Sequence, residues 1–156
     1  MSTLHDDVIC GKPIILNDGD DVNVKDCLGT TPLHYAAIIG YLDAIEILVS
    51  AGANVNERNN NGQTPLYVAT LNNQLGSIKA LLKAGADVNV TDIYGITPLH
   101  YVNNIDDAQE LLNAGADINA TDIKGSRPID YAKDDDIKNL LEHWSNIPDT
   151  KEPEFL

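Results

Sequence analysis

Thr31-Pro32-Leu33-His34 returns 33 residues later as Thr64-Pro65-Leu66-Tyr67, and after another 33 as Thr97-Pro98-Leu99-His100. A degraded copy, Arg127-Pro128-Ile129-Asp130, follows after only 30, so three residues are missing between the third and fourth copies. A fixed period of this length demands stacked units, each covering its neighbour's apolar face, rather than one body folded around a single centre. Within the tetrapeptide, threonine can accept a bond from a free amide of a helix's first turn. Proline at the first helical position forfeits no bond, and leucine opens the buried face.

A second element of the period lies 21 residues further on in the first two copies, Gly52-Ala53-Asn54-Val55-Asn56 and Gly85-Ala86-Asp87-Val88-Asn89, and 18 further on in the third, Gly115-Ala116-Asp117-Ile118-Asn119, with a forerunner at Gly19-Asp20-Asp21-Val22-Asn23. Glycine stops a helix there by taking positive φ, and the branched residue after it starts an extended arm. Each unit is therefore expected to run helix, turn, helix, extended hairpin. Ile45, Leu48 and Val49, and again Ile78, Leu81 and Leu82, fall on one face of the second helix. Asn73 stands where a glycine would separate the helices, and asparagine is the residue that next best tolerates that backbone.

With these residues in register, Asp26-Cys27-Leu28-Gly29-Thr30-Thr31-Pro32-Leu33-His34-Tyr35-Ala36-Ala37, Leu81-Leu82 and Gly85 to Asn89, the chain resembles the ankyrin-repeat family over about residues 4–144. The resemblance implies an all-α solenoid of stacked helix-turn-helix units with β-hairpin loops. It divides the chain into an N-terminal cap at 3–23, repeats at about 24–56, 57–89 and 90–119, a C-terminal cap at 120–144, and a flexible acidic tail at 145–156. In the cap, Pro13 is expected to begin a second helix that offers Ile14, Ile15 and Leu16 to the next unit. The third repeat, short by three residues after Asn104, is expected to have a short first helix. The closing helix carries Ile137, Leu140, Leu141 and Trp144 on one side, as an end unit requires. With a cap at either end the array is expected to be complete, a small stand-alone protein. The Asn-, Asp- and Ile-rich composition points to an AT-rich genome, bacterial or viral.

Ten Lys and Arg against 24 Asp and Glu, a formal charge of -14, argue against nucleic acid and anionic membrane surfaces as ligands and favour a basic partner. Cys10 and Cys27 fall in different units and offer no disulfide framework, so a reducing cytoplasm is the simplest compartment. That could be a host's cytosol if the protein is a secreted effector.

No catalytic residue, metal site or cofactor emerges. His34 and His100 share one slot two units apart, which at roughly 8–10 Å per stacked helix keeps their rings too far apart to share an ion. The family resemblance gives that side chain a structural bond to the hairpin. His5 and His143, in the caps, are expected to be solvated. Asp106-Asp107 and Asp134-Asp135-Asp136 sit at helix starts, where carboxylates complement the positive end. Asp18-Gly19-Asp20-Asp21 only loosely resembles a calcium loop, since Gly29 stands where the closing glutamate belongs.

In the ankyrin family, partners usually meet the hairpin tips and the exposed side of the first helices, the concave face. Carried onto this chain, the resemblance implies a partner-binding set of Leu28, Thr30, Asn61, Gln63, Ile93, Tyr94, Ile96, Ile123 and Lys124 on the tips, and Ile38, Ile39, Leu71 and Asn72 on the helices. Many are apolar where a solvated surface would be polar, and such a stripe usually marks an interaction site. The alternative is that Ile93 and Ile123 pack tip against tip. The expected function is non-catalytic protein binding by a monomer, to a partner with a basic rim. A second expectation is an inhibitor or immunity protein that blocks a basic enzyme or toxin.

Overall fold

The computed structural model describes residues 3–147. Each Thr-Pro step starts a helix as its chemistry requires: Thr31, Thr64 and Thr97 are extended, and the proline takes the first helical position. The chain runs α1 (Leu4–Ile9), α2 (Pro32–Ile39), α3 (Leu42–Ser50), α4 (Pro65–Leu71), α5 (Leu75–Lys83), a 3-10 turn (Pro98–Tyr101), α6 (Ile105–Asn113), α7 (Pro128–Tyr131) and α8 (Asp135–Ser145). Gly40, at φ 75°, ends α2 in the left-handed conformation. Asn73 does the same work in the second unit at φ 55°.

The elements stack in two rows. In the inner row α1, α2, α4, the 3-10 turn and α7 pack in succession, and in the outer row α3, α5, α6 and α8 do so. Between the rows lies one continuous core of Leu33, Ile45, Leu48, Leu66, Ile78, Leu81, Leu99, Leu111 and Ile137, all almost fully buried, with Ala36, Ala37, Ala44 and Ala69 where helices approach most closely. Side-chain amides tie the units at the far edge. Asn23, Asn56 and Asn89 accept the backbone N–H of Asn54, Asp87 and Asp117 at 2.7–2.8 Å.

The all-α solenoid stands as expected, with no strand among the described residues; several local expectations are corrected. The hairpins are tight turns closed by single bonds such as Asp26 N–H to the Thr30 carbonyl, too short for a ladder. Pro13 starts no helix; residues 12–17 run without regular structure, with Ile14 buried, Leu16 half-buried against the core and Ile15 exposed. The shortening of the third unit precedes Asn104 rather than following it. Asn104 caps a full nine-residue α6, matching α3 and α5, and the lost turn belongs to the inner element. α7 is equally short, so the last two units share the deletion. Helix α8 runs to Ser145, into the expected tail; the remainder from residue 148 lies outside the described residues.

Candidate protein-binding face

The hairpins are built from one side-chain acceptor each, buried at Asp92 and Asp122 and half-buried at Asp26 and Asn59. Asp92 Oδ1 accepts the N–H groups of Tyr94 and Ile96, at 2.8 and 3.0 Å. Asp26, Asn59 and Asp122 hold their turns by the same pair of bonds. The second oxygen of each aspartate is taken by a phenol: Tyr35 donates to Asp26 at 2.7 Å, Tyr67 to Asp92 at 2.8 Å and Tyr131 to Asp122 at 2.6 Å. The bond to Asp26 pushes the Tyr35 hydroxyl up to about 12, and the bond to Asp122 does the same for Tyr131. Burial first, then Asp92, raises Tyr67. The Tyr131 hydroxyl and the Ser126 and Lys124 amides hold Asp122 below the usual carboxylate range.

The histidines are structural. His34 Nε2 lies 3.0 Å from the Gln63 carbonyl in the next hairpin; a carbonyl only accepts, so Nε2 carries the proton. Nδ1 then accepts from the Thr31 N–H and hydroxyl. Here the threonine donates to the imidazole instead of accepting from a first-turn amide, whereas Thr64, with Tyr67 in the slot, does accept its amide. His100 repeats the arrangement with Thr97 and the Ser126 carbonyl. His5, expected to be solvated, is half-buried and bonds the Thr30 carbonyl at 3.0 Å, so the cap carries the same inter-unit link.

Neighbouring tips are joined by backbone bonds: Asn60 N–H to the Leu28 carbonyl, Ile93 to Asn61, and Ile123 to Tyr94, at 2.9–3.1 Å. Their side chains are left outside this seam. Leu28, Ile93, Tyr94 and Ile123 are each more than half exposed, so Ile93 and Ile123 do not pack tip on tip. Ile39 and Leu71 are exposed on the inner helices, with Asn61, Asn72 and Lys124 beside this stripe in the sequence-derived set. Gln63 is half-buried with its carbonyl bound to His34, and Ile38 is half-buried against the core. Two members must be withdrawn from the surface: Thr30 is 7% and Ile96 6% exposed. Each ends the hairpin where the chain turns inward to the threonine cap, and there its side chain is enclosed.

Two adjoining clefts lie along this face. One, of about 260 Å³, lies between the second and third units; buried Tyr67 and Asp92 line it together with exposed Tyr94, Tyr101 and Leu71. The other, of about 470 Å³, also includes Leu71 and Tyr101 and extends to Val102, Tyr131, Lys133 and Ile137. Here the inner elements of the last two units are a turn too short. Tyr101 packs edge-on against both Tyr67 and Tyr131, at 5.9 and 6.0 Å between ring centres. Sequence reasoning missed Tyr101, Tyr131 and the role of Asp92; the 30-residue interval and the tyrosine in the histidine slot were the signals pointing there.

Charge is distributed unevenly. The hairpin aspartates are occupied, while exposed carboxylates such as Asp43, Glu46, Asp106, Asp135 and Glu142 belong to the outer helices. Among the described residues no group of three His, Cys, Asp or Glu side chains could hold a metal ion, and Cys10 and Cys27 are free and exposed. No helix among them is long and apolar enough to cross a membrane.

A model of ankyrin repeats in three copies matches residues 7–92, and an ankyrin-repeat model matches residues 94–123. The chain belongs to the ankyrin-repeat family. Ankyrin repeats generally mediate protein–protein interaction and are typically non-catalytic. No curated protein matches the chain significantly.

Proposed function

We propose that this protein is a non-catalytic binding module that holds a protein partner against its hairpin tips and inner helices. The observation that carries this reading is the set of exposed apolar side chains on one face, Leu28, Ile93, Tyr94 and Ile123 on tips joined by backbone bonds and Ile39 and Leu71 on the inner helices. A rigid scaffold presenting apolar anchors loses little entropy on association, and a tyrosine among aliphatics is the type of residue that dominates interface energies. The protein acts as a monomer in the cytoplasm, and neither nucleic acid nor membrane is its target.

The charge of -14 favours a second reading, in which the partner is a basic enzyme or toxin that binding inhibits. In both readings the net negative charge acts at long range, steering a basic partner toward the protein. Replacing Leu28 and Ile123, both fully outside the core, by glutamate is expected to abolish co-purification of the partner while leaving the circular dichroism unchanged. Full retention of the partner by this variant would count against the concave face. Loss of the partner's enzymatic activity on binding would select inhibition over scaffolding. Ile96 is unsuitable for this test, because a charge at a buried position unfolds the unit.

A further inference from the structure

The geometry points to a seat for one arginine side chain of the partner in the cleft between the second and third units, which sets the partner's register on the concave face. This rests on the concave-face reading above and adds the chemistry of the residue recognised.

The cleft is where the repeat departs from its own rule. In the first and last units the hairpin aspartate is bound by the unit's own tyrosine, Tyr35 or Tyr131, and the preceding unit sends a histidine to the hairpin backbone, His5 to Thr30 or His100 to Ser126. In the third unit the preceding slot is Tyr67, and its hydroxyl takes the Asp92 oxygen. Tyr101, the unit's own tyrosine, is thereby displaced. Its ring stands 38% exposed beside Tyr67, and its hydroxyl bonds no described residue.

Asp92 is 7% exposed, and its carboxylate is met only by neutral donors, the Tyr67 hydroxyl and two backbone amides. None of the ion pairs among the described residues includes it. The Arg58 guanidinium lies against the neighbouring backbone but donates to the Thr91 carbonyl, at 2.7 Å, and forms no ion pair with Asp92. A buried carboxylate without a paired charge is costly, and a cation brought by the partner into the cleft would pair with it. Lys133, which carries no ion pair, lines the neighbouring notch and not this cleft.

The remaining chemistry selects guanidinium over ammonium. Tyr94 and Tyr101 provide exposed ring surface, and the Asn61 side chain and the Tyr94 and Tyr101 hydroxyls are acceptors that bond no described residue. A planar cation with five N–H donors stacks on rings and reaches several acceptors at once, whereas an ammonium does so only as a point charge. A volume of about 260 Å³ suits a side chain rather than a helix.

The test is a titration of the ¹⁵N-labelled full chain with acetyl-arginine-N-methylamide and, as its neutral isostere, acetyl-citrulline-N-methylamide. Amide shifts are expected at Asn61, Gln63, Tyr94, Ile96 and Tyr101 with the arginine compound, and binding at least tenfold weaker with the citrulline one. Asp92→Asn is expected to weaken arginine binding at least tenfold. It keeps the fold, because Asn59 already holds the preceding hairpin through the same two backbone bonds. Tyr101→Ala, which leaves every hairpin bond intact, is the second variant and is expected to show a similar loss. Equal shifts with citrulline, shifts scattered over the acidic outer helices, or undiminished binding in both variants would overturn the seat. If the Leu28→Glu/Ile123→Glu variant loses the partner while no arginine-specific shifts appear, the seat alone fails; if it keeps the partner, the concave-face reading fails as well.

Discussion

Ser77 is the residue whose chemistry is least satisfied. Its Oγ is buried in α5 without a hydrogen-bond partner, and the corresponding position of α3 is Ala44, equally buried. An unpaired buried hydroxyl costs about 1–3 kcal/mol, so Ser77→Ala is expected to stabilise the protein by about 1 kcal/mol, read as a higher urea midpoint at constant slope. His34 makes the opposite kind of contribution. Burial holds its imidazole below the ordinary 6.5, partly offset by the bond to Gln63, so the unfolded chain binds the extra proton first. Its contribution is complete above about pH 6.5 and is lost as pH falls below it. Urea midpoints should therefore drop between pH 7 and pH 5, and His34→Gln should flatten that drop. The structural role of the histidine was legible from its recurrence at one slot. That Tyr67 redirects the bond from backbone to carboxylate was not, because the partner lies 25 residues away on another unit.

At the scale of the element, the period predicted a pair of helices in each of the first two units, because caps and left-handed stops are local chemistry. It failed where an element depends on its neighbours. The segment after Pro13 has apolar residues enough for a helix, yet it packs Ile14 and part of Leu16 against the core without regular structure, and Tyr41 binds the Lys12 carbonyl at 3.2 Å. The three-residue loss fell on the inner element because α6 must keep its full length to pack between α5 and α8. The hairpin seam likewise constrains single residues. Gly62 has φ 76°, and a Cβ there would stand 3.0 Å from the Ile93 backbone nitrogen in the next tip. Gly62→Ala is expected to cost about 2 kcal/mol from left-handed strain and the displaced tip together, measurable by urea denaturation. Faster amide exchange at Ile93 would locate the damage at the seam.

For the whole molecule, stability is shared between units and the junctions that couple them. The asparagine bridge shows this most directly. Asn56 accepts the Asp87 N–H at 2.7 Å and donates to the Gly85 carbonyl at 3.5 Å, whereas the Asn119 side chain bonds no described residue. Asn56→Ala is therefore expected to cost about 1–2 kcal/mol and to broaden the denaturation transition, and Asn119→Ala to change neither. Two identical sequence positions thus have different weights. The repeat, its Thr-Pro helix starts, its left-handed stops and the apolar face of each helix could be read from the chain, since these follow from hydrogen bonds and periodicity within a few residues. Which tip residues face outward could not, and packing across the stack excludes Thr30 and Ile96 and retains Leu28, Ile93, Tyr94 and Ile123. It also brings Tyr67, Asp92 and Tyr101 together in one cleft. Those outcomes depend on how one unit is set against the next, a geometry created by packing across the stack and not by any stretch of chain alone.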